Sequence, residues 1–221
     1  MCGRYNFPKE SSSEMVQAVL GSLKSRQIEV KNGEVFPGDV AAVIASNRKL
    51  EPQAFGMKWG YQLPDGKLIF NARSETAAQK AMFADGMRQR RCLIPADSYY
   101  EWQKTVQGKK KYEIAPTDVN GFFLAGIYRI EQGKPVFSIL TKDPAESIAF
   151  IHNRMPVILP TEAMSDWLNP KYNGIEILSC ATSEMRFSPC WQKLLAFNTK
   201  IWYNSDVSIR VSLKWNVSLS D

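Results

Sequence analysis

The chain has 221 residues, of which 44% are hydrophobic and 23% charged, and its formal net charge is +6. This composition is ordinary for a globular protein and excludes a disordered or fibrous one. No apolar run approaches the roughly 18 residues of a membrane helix, and the N-terminus lacks the apolar segment of a signal peptide. We therefore expect a cytoplasmic protein without a membrane segment, and the positive charge favours a polyanionic partner.

The cysteines are scattered without a CxxC pair, at Cys2, Cys92, Cys180 and Cys190. This spacing argues against a zinc site and against a secreted disulfide framework, which again favours a reducing compartment. His152 is the only histidine, and this excludes most histidine-based metal chemistry. We expect neither a metal nor a cofactor.

The first part of the chain predicts helices alternating with strands. Ser11 and Glu14 have the spacing of a capping box, which predicts a helix with an apolar face formed by Met15, Val19, Leu20 and Leu23. Strands are predicted at 40–45, 53–59 and 67–71. A helix is then predicted from Ser74, as its cap, through Phe83.

The second part of the chain predicts mostly strands. They lie at 98–103, 111–115, 122–130, 135–141 and 155–159, with short helices near 144–150 and 161–168. From Val207 to Leu219 every second residue is apolar, which predicts a half-buried strand. No linker interrupts the chain, so we predict a single domain over 2–221 once Met1 is removed. Its class is α+β, with a predominantly antiparallel, partly closed, barrel-like sheet and short flanking helices.

Cys2 has the most distinctive chemistry of the sequence. An initiator methionine is usually removed when the next residue is as small as cysteine. Removal of Met1 would leave an α-amino group and a thiol on the same residue, Cys2. These groups titrate near pH 8 and 8.5, so we expect both to be partly nucleophilic at neutral pH. The amine can attack an aldehyde to form a Schiff base, and the thiol can then close a thiazolidine ring.

Four short motifs accompany this cysteine. Arg73 precedes a predicted helix and could bind phosphate there. Glu101 lies on an aromatic strand, where a raised pKa would suit a proton shuttle. His152 beside Arg154 could act as an acid–base group over an anion, and Trp59 could stack on a base. The ordinary alternatives are a solvent-facing carboxylate, a structural histidine and a core aromatic ring.

Taken in order, these segments resemble the SRAP family, the SOS-response-associated peptidases. The resemblance is strongest over 2–168. It is carried by Met1–Arg4, Trp59-Gly60, Asn71–Thr76, Arg91–Ala96, Tyr100–Trp102 and His152–Leu159.

The resemblance implies that Met1 is released by autoproteolysis and that Cys2 then traps abasic sites in single-stranded DNA. By the same resemblance, Asn71 positions the cysteine, Glu101 moves protons, and His152 assists sugar ring opening and reversal of the link. Arg4, Arg73 and Arg154 would hold phosphates, with Trp59 against a base. The resemblance also implies single-stranded DNA containing abasic sites as the partner and allows an AP-lyase activity. A monomer is the default expectation, since no feature of the sequence indicates an oligomer.

The chain departs from the family pattern at two places. Glu34-Val35-Phe36-Pro37 stands where the family commonly has Asn-x-Ala-Pro, and this adds negative charge and bulk beside the expected DNA channel. The usual second tryptophan after Trp59-Gly60 is missing. Both changes concern DNA affinity more than the aminothiol chemistry.

Two other functions stay open from the sequence. Met-Cys-Gly also begins amidotransferase domains, in which the cysteine attacks a glutamine amide with its own amine as base. Alternatively, the basic and aromatic residues form a non-catalytic binder of single strands. Replacing Cys2 with alanine separates these hypotheses.

Overall fold

The computed structural model describes residues 2–117 and 119–190. The alternating segment at 207–219, and with it the end of the predicted domain over 2–221, lies outside the described residues.

Strands make up most of the described chain. They are β1 (Tyr5–Phe7), β2 (Gly33–Val35), β3 (Val40–Ser46), β4 (Pro52–Trp59), β5 (Tyr61–Gln62), β6 (Leu68–Ile69), β7 (Asn71–Arg73), β8 (Arg91–Ala96), β9 (Ser98–Thr105), β10 (Gly108–Pro116), β11 (Phe122–Glu131), β12 (Lys134–Lys142), β13 (Met155–Pro156), β14 (Ile158–Leu159) and β15 (Met185–Pro189). The helices are short: α1 (Glu14–Ser25), α2 (Ser74–Ala77), α3 (Ala81–Gln89), α4 (Thr161–Leu168) and α5 (Gly174–Leu178), with a 3₁₀ turn at Glu146–Ile148.

Five strands close into a barrel in the order β12, β4, β3, β8, β11, with β11 pairing back to β12. These pairings are antiparallel except for β12 with β4, which is parallel. Closure leaves these strands without unpaired edges and encloses a core of large apolar side chains such as Leu124 and Phe137. The predicted α+β class with a barrel-like, mainly antiparallel sheet is confirmed.

A second sheet brings the N-terminus to the middle of the molecule. Its strand order is β15, β10, β9, β1, β2, so the first residues of the chain run beside β9. Tyr5 pairs directly with Tyr99. Strand β7 adds to the barrel by pairing in parallel with β12, and this places Asn71 opposite Ile139.

Local capping differs from the sequence prediction at two helices. The N-cap of α1 is Ser13, since its hydroxyl accepts from the Val16 amide, and Met15 is exposed instead of lying on the buried face. The helix predicted from Ser74 is two helices, α2 and α3, and the N-cap of α2 is Arg73. Ser13 caps α1 through its side chain, whereas neither Arg73 at α2 nor Lys80 at α3 makes a side-chain capping hydrogen bond.

Arg91 is a buried cation that ties β8 to the helices around it. Its guanidinium donates to the carbonyls of Trp167, Met87 (3.0 Å), Asn169 and Tyr172 (3.1 Å). A buried charge is tolerated only when its donors are satisfied in this way. This residue of the Arg91–Ala96 segment is therefore structural.

Candidate active site

Cys2 is fully buried at the start of the chain, where Asn71 holds its backbone. The Asn71 Nδ2 atom donates to the Cys2 carbonyl oxygen at 2.8 Å. The Cys2 thiol makes a long contact, 3.8 Å, with the Arg4 carbonyl oxygen. Strand β7 pairs with β12 of the barrel, and this pairing fixes the position of Asn71. The Asn71 amide therefore holds the Cys2 carbonyl in a defined position.

Glu101 is buried on β9 and interacts electrostatically with the Cys2 thiol. Burial raises the pKa of the Glu101 carboxyl group. Burial and then the negative charge of Glu101 raise the pKa of the Cys2 thiol well above its ordinary value. While Met1 is present, the buried thiol is therefore protonated at neutral pH, because a thiolate here would be both desolvated and next to a carboxylate.

Three buried polar atoms near Cys2 have no hydrogen-bond partner among the described residues. They are the hydroxyl groups of Tyr5 and Tyr99 and the Oδ1 atom of Asn71. Both tyrosines interact electrostatically with Cys2, and burial raises the pKa of each hydroxyl. Unsatisfied buried groups cost free energy, so they favour a ligand that supplies hydroxyl or carbonyl groups.

Sequence reasoning missed both tyrosines. One signal was available for Tyr99, because it shares a strand face with Glu101 in the alternating pattern of β9. Tyr5 had no such signal, since its position depends on the pairing of β1 with β9.

His152 lies in the loop before β13, with its ring oriented by the backbone. The Arg154 amide donates to the His152 Nδ1 atom at 3.1 Å, which leaves Nε2 as the protonated nitrogen of the neutral ring. Burial lowers the pKa of the imidazole, so the neutral form dominates at pH 7. Phe150 of the same loop packs on Tyr112 at 5.8 Å, and Tyr112 is the cross-strand neighbour of Glu101. The loop is thus anchored beside the strand that carries Glu101.

Arg154 is occupied by protein groups. Its guanidinium contacts both oxygens of Glu75 at 2.8 and 2.9 Å, Asp143 at 2.6 Å and the Thr141 carbonyl at 2.6 Å. It therefore joins the His152 loop to α2 and β12. A phosphate contact by Arg154 would require one of these ion pairs to open, and that role stays a prediction.

The other predicted DNA-binding residues differ in exposure. Arg73 is exposed at the N-cap of α2, although that helix has a single turn. Trp59 is fully buried, donates to the Phe70 carbonyl at 2.8 Å and stacks on Phe137 at 6.1 Å. The structure corrects the expectation for Trp59, because an enclosed ring presents no face to a base.

Arg4 points to a cluster of charged and aromatic side chains. Its Nη1 atom lies 3.1 Å from Glu34 Oε2, and its guanidinium lies over the rings of Phe36 and Trp102 at 4.3 and 4.9 Å. The two residues by which the chain departs from the family pattern, Glu34 and Phe36, are thus the partners of this arginine.

The rest of the described chain has neither a membrane-spanning helix nor a metal-binding cluster, but it does contain a separate cavity. Its helices include none that is long and apolar enough to cross a membrane. Within 2–117 and 119–190 no three side chains of His, Cys, Asp or Glu are grouped so as to hold a metal ion. An open, mainly apolar cavity of about 690 Å³ between α1, β3 and α4 is lined by none of the predicted site residues.

The family model for the SOS response associated peptidase (SRAP) matches residues 1–192. This chain belongs to the SRAP family. SRAP relatives include the abasic site processing protein YoqW of Bacillus subtilis, which is 32% identical over 77% of this chain and 81% of its own. The abasic site processing protein YedK of Escherichia coli is 29% identical over 83% of this chain and 86% of its own.

Solved structures share the fold of this chain. The crystal structure of a protein from Bacteroides thetaiotaomicron matches with a TM-score of 0.70 and 25% identity, over 88% of this chain and 94% of the other. A phage-related protein from Bordetella bronchiseptica matches with a TM-score of 0.69 at 23% identity, over 86% of this chain and 95% of the other. The second likeness concerns the fold alone.

Proposed function

We propose that this SRAP protein processes abasic sites in single-stranded DNA by capturing them covalently on Cys2. The relatives YoqW and YedK are named as abasic site processing proteins, and this supports the substrate class. The observation that carries the proposal is the environment of Cys2. Cys2 is buried, and its carbonyl oxygen accepts a hydrogen bond from Asn71. Its thiol interacts with the Glu101 carboxyl group. The nearby tyrosine hydroxyl groups have no hydrogen-bond partner among the described residues, so a ligand could bind them.

The first step is release of Met1, which exposes the α-amine of Cys2. Water adds across the Met1–Cys2 peptide bond, and Glu101 takes the proton from the water and gives it to the departing amine. Asn71 holds the Cys2 carbonyl in place throughout. A carboxyl group with a raised pKa is suited to exchange protons in both directions near neutral pH.

The second step is capture of the aldehyde of an opened abasic sugar. The amine adds to the aldehyde carbon, and loss of one water gives the Schiff base. The thiol then adds to the imine carbon, its proton passes through Glu101 to the imine nitrogen, and a thiazolidine results. Because burial favours the protonated thiol, this step needs a proton acceptor, and Glu101 is the carboxyl group that interacts with the thiol.

His152 assists ring opening of the abasic sugar before the sugar is captured by Cys2. An abasic sugar is mostly a closed hemiacetal, so opening needs a proton removed from its anomeric hydroxyl and one delivered to its ring oxygen. A neutral imidazole can accept the first of these protons. The hydroxyl groups of Tyr5 and Tyr99 would bind the sugar oxygens and so gain the partners they lack.

Intact-mass spectrometry tests this proposal. The purified protein is expected to lack Met1 and to gain one oligonucleotide, less one water, when incubated with a single strand that carries one abasic site. Cys2→Ala should form no thiazolidine. Cys2→Ala and Cys2→Ser both keep the α-amine once Met1 is released, so each should yield an adduct only after borohydride reduction of the Schiff base.

Two outcomes would contradict the proposal. A processed N-terminus without any adduct would favour the amidohydrolase and lead to a glutamine assay. Retention of Met1 without an adduct would leave only a DNA-binding module.

A further inference from the structure

Arg4, Lys111 and Glu34 form a charged cluster in which one carboxylate bridges two cations. Arg4 Nη1 lies 3.1 Å from Glu34 Oε2, and Lys111 Nζ donates to Glu34 Oε1. Lys111 pairs with Trp102 across β9 and β10, while Tyr112 pairs with Glu101. Because side chains alternate along strands, the cluster lies on the face of this sheet opposite Glu101.

Aromatic rings hold the two cations independently of the carboxylate. Lys111 Nζ lies 3.9 Å from the ring centroid of Tyr100 and 5.8 Å from that of Trp102. Arg4 lies over Trp102 as well, and over Phe36. Cation–π contacts of this kind keep a cation in place when its anionic partner changes.

The cluster is partly exposed to solvent. The exposed fractions of the side chains are 28% for Arg4, 22% for Lys111 and 36% for Glu34. Ion pairs at this exposure contribute little to stability. An external anion can therefore replace the carboxylate at small cost.

We propose that Arg4 and Lys111 form a phosphate subsite for the captured DNA strand and that Glu34 is the resident anion which a phosphodiester displaces. The carboxylate occupies the position between the two cations that a phosphate oxygen pair would take. Arg4 connects the subsite to the reacting residue through its backbone, because its carbonyl oxygen contacts the Cys2 thiol while its side chain lies in the cluster. This inference rests on the proposed function.

Glu34 lowers the non-covalent affinity of the protein for DNA strands that lack an abasic site. With Glu34 in place the subsite has one net positive charge, and without it two. Cations already paired with a carboxylate contribute less to counterion release, so non-covalent binding should be weaker and less salt-dependent. Retention of the strand then depends on the bond to Cys2, which only an abasic site can form.

The experiment measures binding of a short fluorescent oligothymidylate by anisotropy over a range of salt concentrations, in the Cys2→Ala background. Glu34→Gln is expected to raise the affinity several-fold at low salt. It should also steepen the slope of log affinity against log salt by up to about 0.7. Glu131→Gln is the matched control, because Glu131 is likewise paired with a cation, Arg129, but lies on β11 in the barrel.

Two further variants keep the result interpretable. Adding Lys111→Gln to Glu34→Gln should remove the gain in affinity, and Glu34→Asp, which keeps the charge, should retain the shallow slope. If Glu34→Gln binds no more tightly than Glu131→Gln, or its slope is unchanged, Glu34 is only a structural ion pair and the inference fails.

Failure of the proposed function would look different. In that case abasic DNA forms no adduct with the protein that retains Cys2, whatever residue occupies position 34. If the adduct forms and the affinity of Glu34→Gln does not rise, the proposed function stands and only the phosphate subsite is overturned.

Discussion

Glu101 is a carboxyl group buried beside a buried thiol, and burial raises the pKa of both groups. Each ionised form is therefore disfavoured in the folded protein relative to the unfolded chain. Buried ionisable side chains of this kind often lower the stability of the folded protein, and active sites retain them because catalysis depends on them.

Glu101→Gln is expected to be more stable than the native protein at pH 7. The folded-state pKa is raised, so the native protein loses stability as pH rises through that value, whereas the amide does not titrate. The gain should shrink as the pH falls towards the ordinary carboxyl value of 4.5. Melting temperatures measured from pH 4 to 8 test this, since about 1 kcal/mol corresponds to roughly 2–4 °C in a domain of this size.

Adduct formation should nonetheless be slow in Glu101→Gln, because the amide cannot transfer protons. A variant that is destabilised at pH 7, or stabilised equally at pH 4 and 7, would contradict the assignment of a raised pKa.

Asn71→Ala should slow adduct formation about tenfold, because the variant loses the 2.8 Å bond that fixes the Cys2 carbonyl. The rate is measured by gel shift of denatured protein–DNA adducts over time. Asn32→Ala removes another amide–carbonyl bond, from Asn32 to Val30, and serves as the control. Equal rates in the two variants would show that Asn71 does not position the cysteine.

Strand β11 shows how tightly the barrel is closed. It pairs with β8 on one side and with β12 on the other. A Cβ atom at Gly126 would lie 2.5 Å from the Ile94 side chain and 3.1 Å from the Ser138 carbonyl oxygen. In α1, by contrast, a Cβ atom at Gly21 would meet nothing within 4 Å.

Gly126→Ala and Gly21→Ala should therefore change stability in opposite directions. We expect Gly126→Ala to destabilise by about 1–3 kcal/mol through overpacking. Gly21→Ala should stabilise by about 0.5–1 kcal/mol, because alanine loses less backbone entropy in a helix. Urea unfolding of both variants is the measurement, and a stabilised Gly126→Ala would mean that the barrel wall can relax at this point.

The net charge of +6 suits a polyanion, but much of the positive charge near Cys2 is already paired. Arg4 pairs with Glu34, and Arg154 with Glu75 and Asp143. Of the three arginines predicted to bind phosphate, Arg73 is the exposed one. We therefore expect binding before the covalent step to be weak and only modestly dependent on salt.

Arg73→Gln should lower the affinity of the Cys2→Ala protein for oligothymidylate and make its salt slope shallower by about 0.7. Arg48→Gln, an exposed arginine in the turn between β3 and β4, removes the same charge elsewhere and should change neither quantity appreciably. Equal effects of the two substitutions would mean that only the overall charge matters.

Local patterns in the sequence were enough to predict the class, most strands from β3 onward, and helix α4 at Thr161–Leu168. Alternation and helical periodicity are properties of neighbouring residues, so they are visible without tertiary contacts. The same holds for Cys2, whose chemistry follows from its place at the start of the chain. Glu101 was a candidate from its own motif, and Asn71 from the resemblance to the SRAP family.

Only the tertiary structure decided the environments of these residues. Pairing of β1 with β9 placed Tyr5 at the site, and closure of the barrel buried Trp59. Burial, and then the charge of Glu101, raised the pKa of the Cys2 thiol. Glu34, which suggested repulsion of DNA, proved to be bound by two cations, one of them 77 residues away in the chain. Burial and charge depend on distant segments meeting in space, so no local pattern could have determined them.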